Sequence, residues 1–228
     1  MWVTDLIINL LKENMPMLLE GTVDTLYMTF ASSLFAYILA LPLGVALVVT
    51  REDGLYPVRA LYRILDIAVN IGRSVPFLIL LVAIQPLTTF IVGKSYGSTA
   101  TIVPLVVAAT PFIARLIESS LQEVDHGIIE AAQSMGASLS TIILKVLIPE
   151  AKTSLLAGGT IAIGTVLSYS AMAGFVGGGG LGDIAVRYGF YRYEGDIMLI
   201  TVVLMVILVQ LIQFIGMKIA RKTDKRAI

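Results

Sequence analysis

The chain has 228 residues, 57% of them hydrophobic and only 14% charged, where a soluble domain carries roughly 25% charged residues. That apolar excess is more than a globular core can enclose, so most of the chain reads as a polytopic membrane protein. Net charge is zero and cysteine is absent, which excludes disulfides, thiolate metal sites and thiol nucleophiles; with His126 the only histidine, a multi-histidine metal site is excluded too.

In chain order, residues 1–21 form an external lead-in. Asp5 precedes a short apolar run, with no basic start and no small-residue cleavage site, so a cleaved signal peptide is not expected. Trp2, Val3, Leu6, Ile7, Leu10 and Leu11 recur at helical spacing before Lys12 and Glu13. Two readings stand side by side here, an interfacial amphipathic helix and a polar-tipped start to the first span.

Five windows then lack Asp, Glu, Lys and Arg: Thr25–Thr50, Ser74–Gly93, Ser95–Ala114, Thr153–Gly182 and Ile197–Met217. A hydrocarbon core about 30 Å thick needs about 20 helical residues, and each window reaches that length. The alternation of a membrane barrel strand is missing, so the expected fold is all-α with five transmembrane helices. The second span has an ill-defined start. Pro57 to Arg73 is amphipathic, and either extends the helix or lies along the membrane surface before Pro76. Pro104 and Pro111 predict kinks in the third span.

Orientation follows from the basic residues. One side collects Arg51, Arg59, Arg63, Arg115, Lys145, Lys152, Lys218, Arg221, Lys222, Lys225 and Arg226. The other side has Lys12, Lys94, Arg187 and Arg192, with Arg73 near the membrane. The positive-inside rule puts the N-terminus outside and the C-terminus in the cytoplasm. The loop 116–152 is then cytoplasmic, 222–228 is a basic cytoplasmic tail, and Lys218 to Arg226 reads as an anchor to anionic lipid.

That loop cannot span the membrane. Ile128 to Met135 is a short, strong helix former, and Gly136 stands where a C-terminal cap needs positive φ. Ser138 or Ser140 can cap a second helix, Thr141 to Ile148, which Pro149 ends. Ala131 and Ala132 are small enough for another protein's groove to close on the backbone, and Glu130 offers a charge to a basic partner. Nothing in the loop performs chemistry.

Glu130-Ala131-Ala132, Gly136, then Val146, Ile148 and Pro149 reproduce the spacing of the loop signature in bacterial ABC-importer permeases, which this chain resembles. Val146 and Ile148 depart from the family's usual Ile and Leu but stay apolar and branched. Val69 to Phe77, Thr110 to Arg115, Ser168 to Met172, Val176 to Asp183 and Leu211 to Phe214 are similar to methionine-importer permeases. The similarity runs over about Thr22 to Arg221, which marks 22–221 as the permease domain. The resemblance implies a homodimer of permeases, two cytoplasmic ABC ATPases that use the ATP, an external substrate-binding lipoprotein and a bacterial cytoplasmic membrane. It makes Glu130, Ala131, Ala132, Gly136, Val146, Ile148 and Pro149 the expected ATPase-coupling residues.

Thr160, Gly164, Ser168 and Met172 fall at i, i+4 steps in the fourth window. Such a stripe either packs helices closely or lines a translocation path with Met172 as its constriction. Gly177–Gly182 contains a G-x-G-x-x-G match, but a long helix precedes it where a dinucleotide site needs a strand, so an external glycine-rich turn is expected. His126 reads as a loop or capping residue.

An ion-coupled carrier usually needs an ionisable group in the membrane, and all five windows lack one. Sodium coupling through hydroxyls and carbonyls stays open as the alternative from another class, beside a permease for another amino acid or small solute. No G-x-x-x-x-G-K-[ST] loop occurs, so no catalytic residue, metal or cofactor is expected in this chain, and no nucleic-acid role. The expected function is the permease subunit of an ATP-driven importer of methionine and related amino acids.

Overall fold

The computed structural model describes the backbone of residues 2–223 and the side chains of residues 14–223. The Trp2–Leu11 side-chain pattern, and Lys225 and Arg226 of the tail, lie outside the described residues. Eleven α-helices run through the described chain: α1 (Trp2–Thr50), α2 (Arg59–Ser74), α3 (Phe77–Ala83), α4 (Gln85–Val92), α5 (Ser98–Gln122) and α6 (His126–Ser134). They continue as α7 (Leu139–Ile142), α8 (Ile148–Glu150), α9 (Lys152–Ala173), α10 (Gly180–Ile184) and α11 (Gly195–Thr223).

Among the described residues, four stretches are long and apolar enough to cross a bilayer: Asn14–Thr50, Ser98–Gln122, Lys152–Phe190 and Gly195–Thr223. A fifth is reached only if the pair α2 and α3, bent by 99°, counts as one span. Its geometry corrects the expectation of one helix over Ser74–Gly93. Pro76 has no N–H and pushes Val75 to extended backbone (φ −78°, ψ 123°), which stops α2. Ile84 then separates α3 from α4, and Gly93 caps α4 with φ 82°. In contrast, α5 continues unbroken through Pro104 and Pro111.

The fourth window also ends earlier than its composition suggests. α9 stops at Ala173, and a 3₁₀ turn, a glycine turn and α10 follow. A Cβ on Gly182 would stand 2.6 Å from the Ala171 Cα, so the chain turns back on itself with only glycine able to fit.

The chain divides into two compact units, each assembled from separated segments. The first comprises Met1–Ser33, Phe77–Val106 and Gly164–Leu211. Its core is Leu18, Leu181, Ile184 and Ile197, with Tyr188 and Leu204 packed against them. The Leu181 N–H donates to Thr25 Oγ1 at 2.9 Å, and Thr101 Oγ1 donates to the Gly178 carbonyl at 3.1 Å. The Gly97 N–H reaches the Gly177 carbonyl at 2.9 Å. The glycine-rich segment turns over Gly177–Gly179 as expected and then enters α10, with Gly180, Leu181 and Gly182 buried, so it is also a packing element stitched to α1 and α5. Phe77, just after the bend, stacks on Tyr169 with ring centroids 4.7 Å apart.

The second unit comprises Leu34–Pro76, Val107–Ile163 and Ile212–Ile228. Small residues let its helices approach closely, as membrane packing demands without a hydrophobic drive between helices. A Cβ on Gly44 would lie 2.7 Å from Ile117 Cγ2, and one on Gly159 2.8 Å from the Tyr37 hydroxyl. Leu47, Ile113, Ile117, Leu121 and Leu147 are fully enclosed. Elsewhere large apolar side chains face outward; only 11% of the most apolar stretch of α11 is buried, as expected of a helix bathed in lipid.

Candidate functional site

The signature loop lies wholly in the second unit and folds as the sequence implies at its caps. Asp125 is the N-cap of α6, its Oδ1 accepting from the Gly127 N–H at 2.7 Å. At the other end the Gly136 N–H donates to the Gln133 carbonyl at 2.9 Å and the Ala137 N–H to the Ala132 carbonyl at 3.1 Å. That pair of bonds is a Schellman cap, and it requires the left-handed backbone of Gly136, φ 76°. No atom lies within 4 Å of a Cβ built there. Conformation alone selects glycine.

The second helix of the loop differs from expectation. Ser138, with its Oγ 3.4 Å from the Thr141 N–H, caps α7 at Leu139. A π-helical turn over Ile143–Leu147 follows, in which the Ile148 N–H reaches back five residues to the Ile143 carbonyl. Pro149 does not end this run; it sits in the first turn of α8, and the helical path closes at Ala151. Proline has no N–H for the Lys145 carbonyl, and a first-turn position tolerates that loss.

Burial sorts the loop residues into two faces. Glu130, Ala131 and Gly136 are exposed, and Met135 is 81% exposed. Ala132 is only 4% exposed and turns inward, as do Ile142 and Leu147, while α6 packs on the π turn. The expectation that both alanines are open to a partner is thus corrected for one of them: Ala131 is exposed, and Ala132 belongs to the interior. Val146 and Ile148 are half-buried, and Pro149 is exposed. Beside α6 lies a cleft of about 260 Å³ lined by Arg51, Asp53, Gln122, His126, Glu130 and Gln133 among others. His126 is the first residue of α6 rather than its cap, and is exposed.

The i, i+4 stripe on α9 does not stay uniform. Thr160 is 5% exposed, donates to the Leu156 carbonyl at 2.9 Å, and fits against Gly216 of α11. Gly164 is buried. Ser168, which donates to the Gly164 carbonyl at 3.1 Å, and Met172, 42% exposed, keep an open face. Ser168 borders a shallow groove with Ala171, Met205 and Gln210.

The sequence marks Arg115 as a basic charge and as the end of the Thr110–Arg115 segment, but not as the centre of a polar cluster, which the structure shows it to be. Arg115 pairs with Asp66 of α2 and, at 2.5 Å, with Glu118. It also donates to the Asn70 amide oxygen at 3.0 Å. The available signal was an Arg and a Glu one helical turn apart at the polar end of an apolar span.

The model of one family, "Binding-protein-dependent transport system inner membrane component", matches residues 40–227. The probable D-methionine transport system permease protein MetI of Vibrio cholerae is 54% identical over 213 residues, covering 93% of this chain and 95% of its own. The methionine import system permease protein MetP of Bacillus subtilis is 43% identical over 207 residues, 91% of this chain and 93% of its own. A solved structure of the MetNI methionine ABC transporter in an inward-facing conformation superposes with TM-score 0.92 at 47% identity, covering 93% of this chain and 99% of that one. This chain belongs to the binding-protein-dependent transport system inner membrane component family.

Proposed function

We propose that the chain is the permease subunit of an ATP-driven ABC importer that carries methionine and related amino acids across the bacterial cytoplasmic membrane. The observation that carries this reading is the identity of 54% along nearly the whole length of a methionine transport permease. The chain has no nucleotide loop of its own, so hydrolysis belongs to two ATPase subunits that flank a pair of permeases. An external substrate-binding lipoprotein delivers the amino acid.

In this reading the N-terminus is outside and the C-terminus cytoplasmic, with 22–221 the permease domain and 116–152 its coupling loop. The exposed face of α6, with Glu130, Ala131 and Gly136, fits a groove on an ATPase. Ala132, packed on the π turn that carries Val146, holds α6 on the body of the permease, and Ile148 and Pro149 carry the helical path on toward α9, so the helix moves as a rigid handle. ATP draws the two ATPases together, displacing both copies of α6 and opening the pathway outward; hydrolysis reverses the movement. The differential affinity of the two ATPase states for the handle supplies the bias. Ser168 and Met172, the exposed members of the α9 stripe, are assigned to the pathway, with Met172 as its soft constriction. Thr160 and Gly164 set the position of α9 from behind.

Uptake of radiolabelled methionine into proteoliposomes holding the full complex, with other amino acids as competitors, tests the substrate. ATP-dependent uptake suppressed by unlabelled methionine is expected. ATP-dependent uptake of another amino acid with none of methionine would overturn the assignment.

A further inference from the structure

Arg115 lies seven residues before the C-terminal end of α5, and only Glu123, Val124 and Asp125 separate that end from α6. Its guanidinium works as a fork between two helices. Nη1 binds Glu118 of its own helix at 2.5 Å, while Nη2 binds Asp66 and, at 3.0 Å, Asn70 on α2. The acceptors are themselves fixed: Asn70 Nδ2 donates to Asp66 Oδ2 at 3.2 Å, and Gln122 Nε2 to Glu118 Oε1 at 3.3 Å. Gln122 in turn borders the cleft that Glu130 of α6 lines.

The Glu118 side chain is only 6% exposed, and Arg115 is the cation paired with it. Sliding α2 along α5 would leave Glu118 with its counter-charge but would part Asp66, itself only half-buried, and Asn70 from the guanidinium, costing an ion pair and a hydrogen bond between the helices. A planar fork also fixes register between two helices in a way that apolar side chains, which slip past one another, do not.

We propose that Arg115 is a positioning residue of the transport cycle: it locks α2 to the end of α5, so that displacement of α6 moves α2 together with α5. α2 leads directly into Pro76, where α2 and α3 meet at a bend of 99°, so a shift of α2 along its axis reaches the bend. This inference rests on the coupling role given to α6 above.

The test uses the full complex in proteoliposomes with Arg115→Lys, which keeps the charge and loses the fork, and Asp66→Asn. The readouts are assembly, thermal midpoint and methionine taken up per ATP hydrolysed. Both variants are expected to assemble and hydrolyse ATP, with uptake per ATP lowered about tenfold, within the usual range of a coupling free energy. An unchanged ratio in assembled Arg115→Lys overturns the proposal, as does a loss of uptake matched by an equal loss of hydrolysis. Should Arg115→Lys fail to assemble, the apolar triple Asp66→Leu, Arg115→Met and Glu118→Leu decides. Packed but without the fork, it is expected to be uncoupled, and coupled uptake in it overturns the proposal. Gly136→Val, run alongside, separates the two claims. Coupling retained there but lost in Arg115→Lys refutes the role of α6, and the reverse refutes the fork.

Discussion

Gly136 offers the cleanest test of how the handle is built. Its φ of 76° lies where an L-residue is strained, yet a Cβ there meets nothing within 4 Å, so substitution acts through backbone conformation alone. Asn tolerates this region and is expected to cost a few tenths of a kcal/mol; Ala costs about 1 and β-branched Val about 2 kcal/mol. α6 has nine residues and cannot persist on propensity alone, so a strained cap frays its last turn. At about 2 kcal/mol the open population of that turn rises about 30-fold. Amide hydrogen exchange at Met135, Gly136 and Ala137 reads that population directly in the isolated permease. The expected order of protection is Gly, Asn, Ala, Val, with coupled uptake falling in the same order. Protection unchanged in Gly136→Val would refute the conformational argument. Uptake that follows side-chain size instead, with Ala better than Asn, would show that the ATPase surface rather than the cap dictates glycine.

Other substitutions test neighbouring parts. Asp125→Ala removes the N-cap acceptor of Gly127 and is expected to destabilise α6 by about 1 kcal/mol, seen as faster exchange at its first amides, with Asp125→Ser close to the parent. Gly182→Ala puts a methyl against the Ala171 backbone, and is expected to prevent assembly or to lower the thermal midpoint sharply, whereas Gly195→Ala, in open space, leaves it near the parent. Met172→Ala, at an exposed position on α9, is expected to raise basal ATP hydrolysis or widen the range of amino acids transported. If transport rate, substrate range and basal hydrolysis all stay as in the parent, Met172 is not the constriction.

Much of the architecture was legible because a bilayer imposes a simple rule: apolar runs of a given length become helices. That rule located α1, α5 and α11, each of which runs on past its uncharged window. It failed where length and apolarity were satisfied but backbone continuity was not. Ser74–Gly93 carries no charge, yet Pro76 bends it and Ile84 divides it. Thr153–Gly182 is likewise uncharged, and its glycines bring the chain back against Ala171 instead of lengthening α9. Hydropathy carries no information about such close approaches. In the loop, cap chemistry is local and could be read: Gly136 and Ser138 stand where their types suggest. Which of two adjacent alanines faces inward depends on the π turn beneath α6, a tertiary fact without a sequence signature. The Arg115 cluster was hidden for the same reason, since its α2 partners lie 45 and 49 residues away.

The central claim is that an ATPase subunit closes on the outer face of α6, and cross-linking addresses it most directly. The chain contains no cysteine, so single cysteines can be placed without background from the permease itself. In the assembled complex, Ala131→Cys and Met135→Cys, both on the exposed face, are treated with a short maleimide–succinimidyl reagent that captures lysines nearby. Ala132→Cys, at an enclosed position, serves as the control. The account requires both exposed positions to link to the ATPase, with yields that change when ATP is bound, and the enclosed one to remain unlinked. If none of the α6 cysteines reaches the ATPase while cysteines in the loop 51–58 do, the handle has been placed on the wrong element.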